Sequence, residues 1–286
     1  MKLLIIGGGG MAGHLMVRYF RSRPSFQVVY TTRQSSASQA GSCEPFAEGR
    51  RFLDASHYEA VEALVLDEQP DVIVNAVGIL NQEAENHPLM AFRINGFLPH
   101  WLAYLANRCQ ARLIHISSDC VFSGKKGSYT ESDVPDGTTI YAQTKALGEL
   151  RCGPHLTIRT SIIGPEVRSH GIGLLQWFLS QEGEIKGYER VLWNGVTTLE
   201  LAKSVEYAIE NPQLEGLVQL TAPETVSKHE LLLLLQKHFN HNGAMIIPDS
   251  KIVIDRSLRP IRKDWQFDTA SYDIMLSELA QWMRGV

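Results

Sequence analysis

Short apolar runs bounded by glycine or polar residues alternate with amphipathic stretches through the first half of the chain. Lys2 to Ile6 reads as a strand, and Leu15, Val17, Tyr19 and Phe20 mark the helix that follows. Gln27 to Thr31 and Arg51 to Leu53 are the next strands; Ser56 and Glu59 then form a capping box for a helix through Val61, Leu64 and Val65. Asp71 to Val77 is almost continuously apolar, as a parallel strand covered on both faces requires. A long helix runs from about Leu89 to Arg108 and carries Asn95, whose poor helix propensity suggests a polar role. Arg112 to Ser117 is a fifth strand, Tyr141 to Leu150 a helix, and Leu156 to Ser161 a sixth strand. This alternation predicts an α/β fold with a doubly wound parallel sheet of Rossmann type, in which ligands bind beyond the carboxyl ends of the strands.

After Gly164-Pro165 the alternation weakens. Residues 1–164 are therefore expected to form the dinucleotide-binding domain, and residues 165–286 a smaller, partly interleaved C-terminal substrate region that can return part of the chain to the sheet. In that region Thr197 with Glu200, and Ser227 with Glu230, are placed to cap helices, and a lid built there would exclude water. Ser35 to Ser42 reads as a polar loop.

Composition narrows the function classes. A chain of 286 residues buries a large core, and a net charge of -4 with no basic block argues against nucleic acid. No apolar run approaches the roughly 18 residues that span a bilayer, and Leu3 to Ile6 is too short for a signal-peptide core, so a cytoplasmic protein is expected. Cys43, Cys109, Cys120 and Cys152 lack the close pairs of zinc or redox motifs, and no metal site is read; His238 and His241 fit a solvated helix end better than a ligand pair.

Three stretches carry candidate chemistry. Gly7, Gly10 and Gly13, with Met11 among them, join the first strand to the first helix at the spacing that allows a tight turn, close approach of a diphosphate and close helix packing. The second strand ends in Arg33 with no acidic residue to grip a ribose, which favours NADP(H) over NAD; Asp54 is placed near the adenine, and Asn75, Ala76, Val77 and Gly78 leave room for a cofactor ribose. Ser118 follows the fifth strand, and Tyr141 and Lys145 lie one helical turn apart on one face. A ketone reductase needs a proton donor within reach of the carbonyl oxygen: the Tyr141 phenol fits that role, a nearby ammonium would favour its phenolate, and the Ser118 hydroxyl can align the carbonyl. An amphipathic helix with a half-buried tyrosine gives the same local pattern, so the context decides.

Together, Gly7-x-x-Gly10-x-x-Gly13, Asn75-Ala76-Val77-Gly78, Ser117-Ser118-Asp119-Cys120-Val121-Phe122-Ser123-Gly124 and Tyr141-x-x-x-Lys145 resemble the extended short-chain dehydrogenase/reductases, and within them the dTDP-4-dehydrorhamnose reductase branch. The resemblance implies an NADPH-dependent oxidoreductase acting on a nucleotide-linked 4-keto-6-deoxy sugar for deoxysugar or polysaccharide synthesis. It makes Tyr141 the proton donor, Lys145 its partner and ribose contact, and Ser118 the carbonyl-orienting hydroxyl; Asp119 and Val121 fall on the substrate side. Cys120 stands where the branch usually has tyrosine, and Val77-Gly78 replaces alanines, departures that bear on substrate more than on reduction. Trp193 either covers substrate or fills core, Arg159 and Thr160 lie at the site rim or in a structural salt bridge, and Lys125, Lys126 and Tyr129 approach the sugar or are solvated. Arg256 and Ser257 are candidate contacts to a substrate diphosphate. A nucleotide-sugar epimerase or dehydratase is the alternative enzyme, though Asp119-Cys120 lacks a dehydratase's additional carboxyl pair. A non-catalytic NADP-binding regulatory subunit is the alternative outside enzymes. Pairing of two copies through the helices carrying Asn95 and Tyr141 is implied by analogy.

Overall fold

The computed structural model describes residues 1–33, 48–167 and 173–285. The stretch read as a polar loop, Ser35 to Ser42, and Cys43 lie outside these residues. Six strands, β1 (Lys2–Ile6), β2 (Gln27–Thr32), β3 (Arg50–Phe52), β4 (Val72–Asn75), β5 (Arg112–Ser118) and β6 (Leu156–Thr160), form a parallel sheet with a seventh, Gly216–Gln219. The order is Gly216–Gln219, β6, β5, β4, β1, β2, β3, so the strand sequence reverses between β1 and β4 and opens a crevice at their carboxyl ends.

Side-chain alternation explains why both faces are covered. Leu3, Ile5, Val28, Val72, Ile114 and Ile158 point into one apolar core, while Leu4, Ile6, Val29, Ile73 and Leu113 point into another. The first core continues into the C-terminal half through Trp193, Val196, Leu201, Val205 and Leu231; α1 (Met11–Arg21) also faces it. The second is closed by α2 (Tyr58–Glu68) and α5 (Leu98–Arg108).

Two local expectations are corrected. Helix α2 starts at Tyr58 behind His57 with no side-chain cap, and the Ser56 amide instead donates to the Asp54 carboxylate at 2.9 Å, so Ser56 and Glu59 form no capping box. The expected helix from Leu89 to Arg108 is interrupted. After the short helices α3 (Asn81–Asn86) and α4 (Pro88–Ala91), Phe92–Phe97 form a π-helical turn before α5. Pro99 has no N–H to give the carbonyl four residues back, that of Asn95, which loosens the α-helical ladder there. The Asn95 side chain accepts from the Ile79 amide at 2.8 Å and donates to the Ile79 carbonyl at 2.9 Å and to the Thr144 hydroxyl at 3.1 Å. It thus fastens the loop after β4 to α6 (Ile140–Leu147), the helix bearing Tyr141 and Lys145.

The other caps form as expected. Thr197 accepts from the Glu200 amide at the start of Thr198–Glu210, and Ser227 with Glu230 makes a reciprocal capping box for Lys228–Phe239. Strand Val191–Trp193 lies between Val226–Ser227, antiparallel, and Ile254–Asp255, parallel, and the Asp255 amide donates to the Gly124 carbonyl in the loop after β5.

One buried ion pair ties these elements together. Just past α6, Glu149 receives Arg159 of β6 through Nε and Nη2, both at 2.7 Å, with neither side chain exposed. Ser117 of β5 also donates to Glu149, at 2.9 Å. Glu149→Gln is expected to destabilise the protein by about 3–5 kcal/mol, because it leaves the Arg159 charge buried without its partner. The double replacement Glu149→Leu with Arg159→Met should recover much of that loss in denaturant unfolding. Equal stability of Glu149→Gln and wild type would contradict the anchoring role.

Candidate active site

A cleft of about 490 Å³ opens at the crevice. Gly7, Gly10, Met11, Arg33, Asp54, Ala76 and Val77 line one end, and Ser118, Asp119, Cys120, Tyr141, Lys145 and Ser161 the other.

The glycine end is shaped by close approaches. Gly7 has φ of +95°, and a Cβ there would lie 2.7 Å from Cγ2 of Val77; at Gly13 it would lie 2.1 Å from the Gly7 carbonyl oxygen. Gly13 therefore serves helix packing and lies off the cleft wall, whereas Gly7 and Gly10 line it. Helix α1 begins behind Gly10 with no side-chain cap and no acidic residue in its first turn, an arrangement that leaves its amide groups open to an anion. Arg33, at the end of β2, lines the same end of the cleft, as does Asp54, whose carboxylate is held low chiefly by the Ser56 amide. These residues fit a dinucleotide with an extra phosphate: backbone donors for the diphosphate and a guanidinium for the additional group. Asn75 is fully buried behind the wall formed by Ala76 and Val77, bonded to His115 Nδ1 at 3.1 Å and to the Val77 amide at 3.2 Å. It holds the turn in shape.

At the other end, Thr139 caps α6 and so fixes the first turn, which carries Tyr141. Burial raises the Tyr141 phenol well above its usual range; neighbouring Cys120 and Asp119 raise it further, while the Ser118 hydroxyl pulls it back. The phenol is thus protonated at neutral pH, the form a reductase's acid requires. Ser118 Oγ accepts from the Cys120 amide at 3.1 Å and donates to Asp119 at 3.2 Å. Burial also pushes the Cys120 thiol up to about 12. Lys145 Nζ donates to the Ile116 carbonyl at 2.7 Å, and burial brings its ammonium down to about 8, against the pull of Glu149. That ammonium is engaged with the strand through the Ile116 carbonyl, one helical turn from Tyr141 on the same helix.

The remaining candidates sit elsewhere. Val121 is fully buried against Phe122, Tyr129 and Leu258. Trp193 is core: it donates to the Ser161 hydroxyl at 2.8 Å and stacks with Tyr272. Arg159 is locked to Glu149 in the structural salt bridge, while Thr160 lines the cleft. Lys126 pairs with Asp133, and Tyr129 stacks on Phe122. Arg256 donates to the Phe122 carbonyl at 3.0 Å and approaches Cys120 Sγ, and Ser257 accepts from the Ser128 amide at 3.0 Å. Sequence reasoning missed Ser161, Met90 and Glu166 on the wall. It also missed Glu149, although its spacing of one helical turn from Lys145 was a usable signal.

Residues 1–264 match the RmlD substrate binding domain family. A dTDP-4-dehydrorhamnose reductase of Shigella flexneri is 30% identical over 201 residues, covering 66% of this chain and 67% of that one. The methionine adenosyltransferase 2 subunit beta of Bos taurus is 32% identical over 149 residues, 52% of this chain and 41% of that one. Among solved structures, dTDP-4-dehydrorhamnose reductase from Bacillus anthracis in complex with NADP superposes with a TM-score of 0.80 at 17% identity, covering 100% of this chain and 99% of that one. Motifs, sheet order and sequence match agree: the chain belongs to the RmlD substrate binding domain family, within the extended short-chain dehydrogenase/reductases.

Proposed function

We propose that the protein is an NADPH-dependent reductase of the keto group of a nucleotide-linked 4-keto-6-deoxy sugar, acting in deoxysugar synthesis in the cytoplasm. The observation that carries this is the meeting of the Ser118 hydroxyl, the Tyr141 phenol and the Lys145 ammonium on one wall of a cleft whose other end is the Gly7 to Gly13 turn. The named Shigella flexneri relative supports the substrate class. Among the described residues no helix is long and apolar enough to cross a membrane.

Bound at the glycine turn, NADPH supplies the hydride; everything else falls to the chain. Ser118 Oγ and the Tyr141 hydroxyl flank the position for a carbonyl oxygen, and Tyr141 delivers the proton as negative charge develops there. Lys145 is placed to leave the Ile116 carbonyl for a cofactor ribose and to refill the phenol's proton from behind. Cys120, held as the neutral thiol, adds no competing charge to that pocket. With its three catalytic side chains retained, the chain fits an enzyme better than a regulatory subunit, and the Asp119-Cys120 pair fits a reductase better than a dehydratase.

NADPH oxidation with dTDP-4-dehydrorhamnose should be readily measured and faster than with NADH, and Tyr141→Phe should lower kcat by about 10²–10⁴-fold. Wild-type protein no faster than Tyr141→Phe on any nucleotide-linked ketosugar would overturn the assignment. A second expectation concerns stability without cofactor. Lys145 titrates at about 8 in the folded protein against 10.5 ordinarily, so holding its proton destabilises the fold fully below pH 8, and the penalty fades as pH rises from 8 toward 10.5. Lys145→Met should therefore raise stability at pH 7 by on the order of 2 kcal/mol, after loss of the Ile116 hydrogen bond, while abolishing turnover. The gain in Tm should shrink near pH 10. A lowered Tm at pH 7 would show that burial does not govern this lysine.

A further inference from the structure

Lys228 is a cation that the mechanism above leaves unused. It opens the helix Lys228–Phe239, directly after the strand that pairs with Val191–Trp193, and its Nζ stands over the Trp193 ring, 4.6 Å from the centroid. On its other edge that indole is bonded to Ser161, a residue of the cleft wall. Lys228 therefore stands behind the Ser161 part of the cleft wall, on the side of the C-terminal half, with its ammonium against an aromatic face.

The surroundings make that ammonium a charge in want of an anion. Among the described residues it makes no hydrogen bond and no ion pair; its contact is the indole face. Burial brings that ammonium down to about 8; Asp119 and Cys120 favour its charge, and Arg256 opposes it. Arg256 is itself held beside the same loop through the Phe122 carbonyl and Cys120 Sγ, at 3.0 and 3.9 Å. Its chain segment is clamped by Asn194, which donates to the Leu258 carbonyl at 2.7 Å and accepts from the Leu258 amide at 3.0 Å. Burial raises the Asp119 carboxylate while the charges of Lys228 and Arg256 pull it back, and that carboxylate already accepts from Ser118. A neutral sugar hydroxyl would do little to offset the burial of this surplus positive charge, whereas a phosphate oxygen would.

We propose that Lys228, seated on Trp193 and joined by Arg256, is a substrate-binding residue that holds an anionic oxygen of the nucleotide sugar's diphosphate and so sets the distance from that group to Ser118 and Tyr141. The proposal rests on the nucleotide-sugar reading and adds to it a named residue from the C-terminal half. Lys228 is then a binding residue, whose contact is the same in ground and transition states, so its loss is felt in KM and little in kcat.

The test compares wild type, Lys228→Met and Lys228→Arg in two measurements: steady-state kinetics with the nucleotide-linked ketosugar, and calorimetric binding of dTDP and of thymidine. Lys228→Met should raise KM for the sugar nucleotide and Kd for dTDP at least tenfold, leave thymidine binding and NADPH affinity unchanged, and keep kcat within about threefold. Lys228→Arg should recover most of the dTDP affinity. Unchanged NADPH affinity also shows that the variants fold. If wild type binds dTDP and Lys228→Met binds it equally well, or loses kcat with KM unchanged, the diphosphate contact is overturned while the reductase reading stands. If wild type binds no dTDP and turns over no nucleotide sugar, both fall.

Discussion

The buried pair between Glu149 and Arg159 is the constraint on which the arrangement of Ser118, Tyr141 and Lys145 depends. Two carboxylate oxygens and a guanidinium, removed from water and matched in a fork, join the end of α6 to β6, and Ser117 brings β5 into the same contact. Tyr141 and Lys145 ride on α6 and Ser118 closes β5, so their separation is fixed by a polar contact that costs heavily if broken. Asn95 acts at the other side of α6, through Thr144 and the Ile79 backbone. The helix is therefore held from two directions by groups that take no part in the chemistry.

Burial then sets the protonation states. The same desolvation that keeps Tyr141 protonated makes Lys145 reluctant to hold its proton, and its ammonium rests on a strand carbonyl. A lysine in that state is destabilising to the fold and available for a ribose. On the proposed function, stability is given up at this position for catalysis, a trade common where charged groups are buried at active sites.

Much of the scaffold could be read from sequence because its signals are local. The glycine turn, the alternating strands and the Ser227 capping box depend on neighbours in the chain, and each formed close to its expected bounds. The Tyr141 to Lys145 spacing was equally local. What escaped depended on distant partners. The π-helical turn at Phe92–Phe97 reflects Pro99 together with the side-chain grip of Asn95 on Ile79. Ser56 and Glu59 had the right spacing for a cap, but Asp54 took the Ser56 amide. Lys228 carried no motif; only the pairing of Val226–Ser227 with Val191–Trp193 brings it to the indole.

The most direct test is a crystal structure of the protein with NADP⁺ and dTDP bound. The account expects the cofactor diphosphate on the Gly7 to Met11 backbone, its extra phosphate at Arg33, the nicotinamide beside the Tyr141 hydroxyl with room between them for a carbonyl, and Lys145 turned from Ile116 to the ribose. A cofactor bound away from the glycine turn, or a Tyr141 hydroxyl sealed off from the nicotinamide, would contradict it.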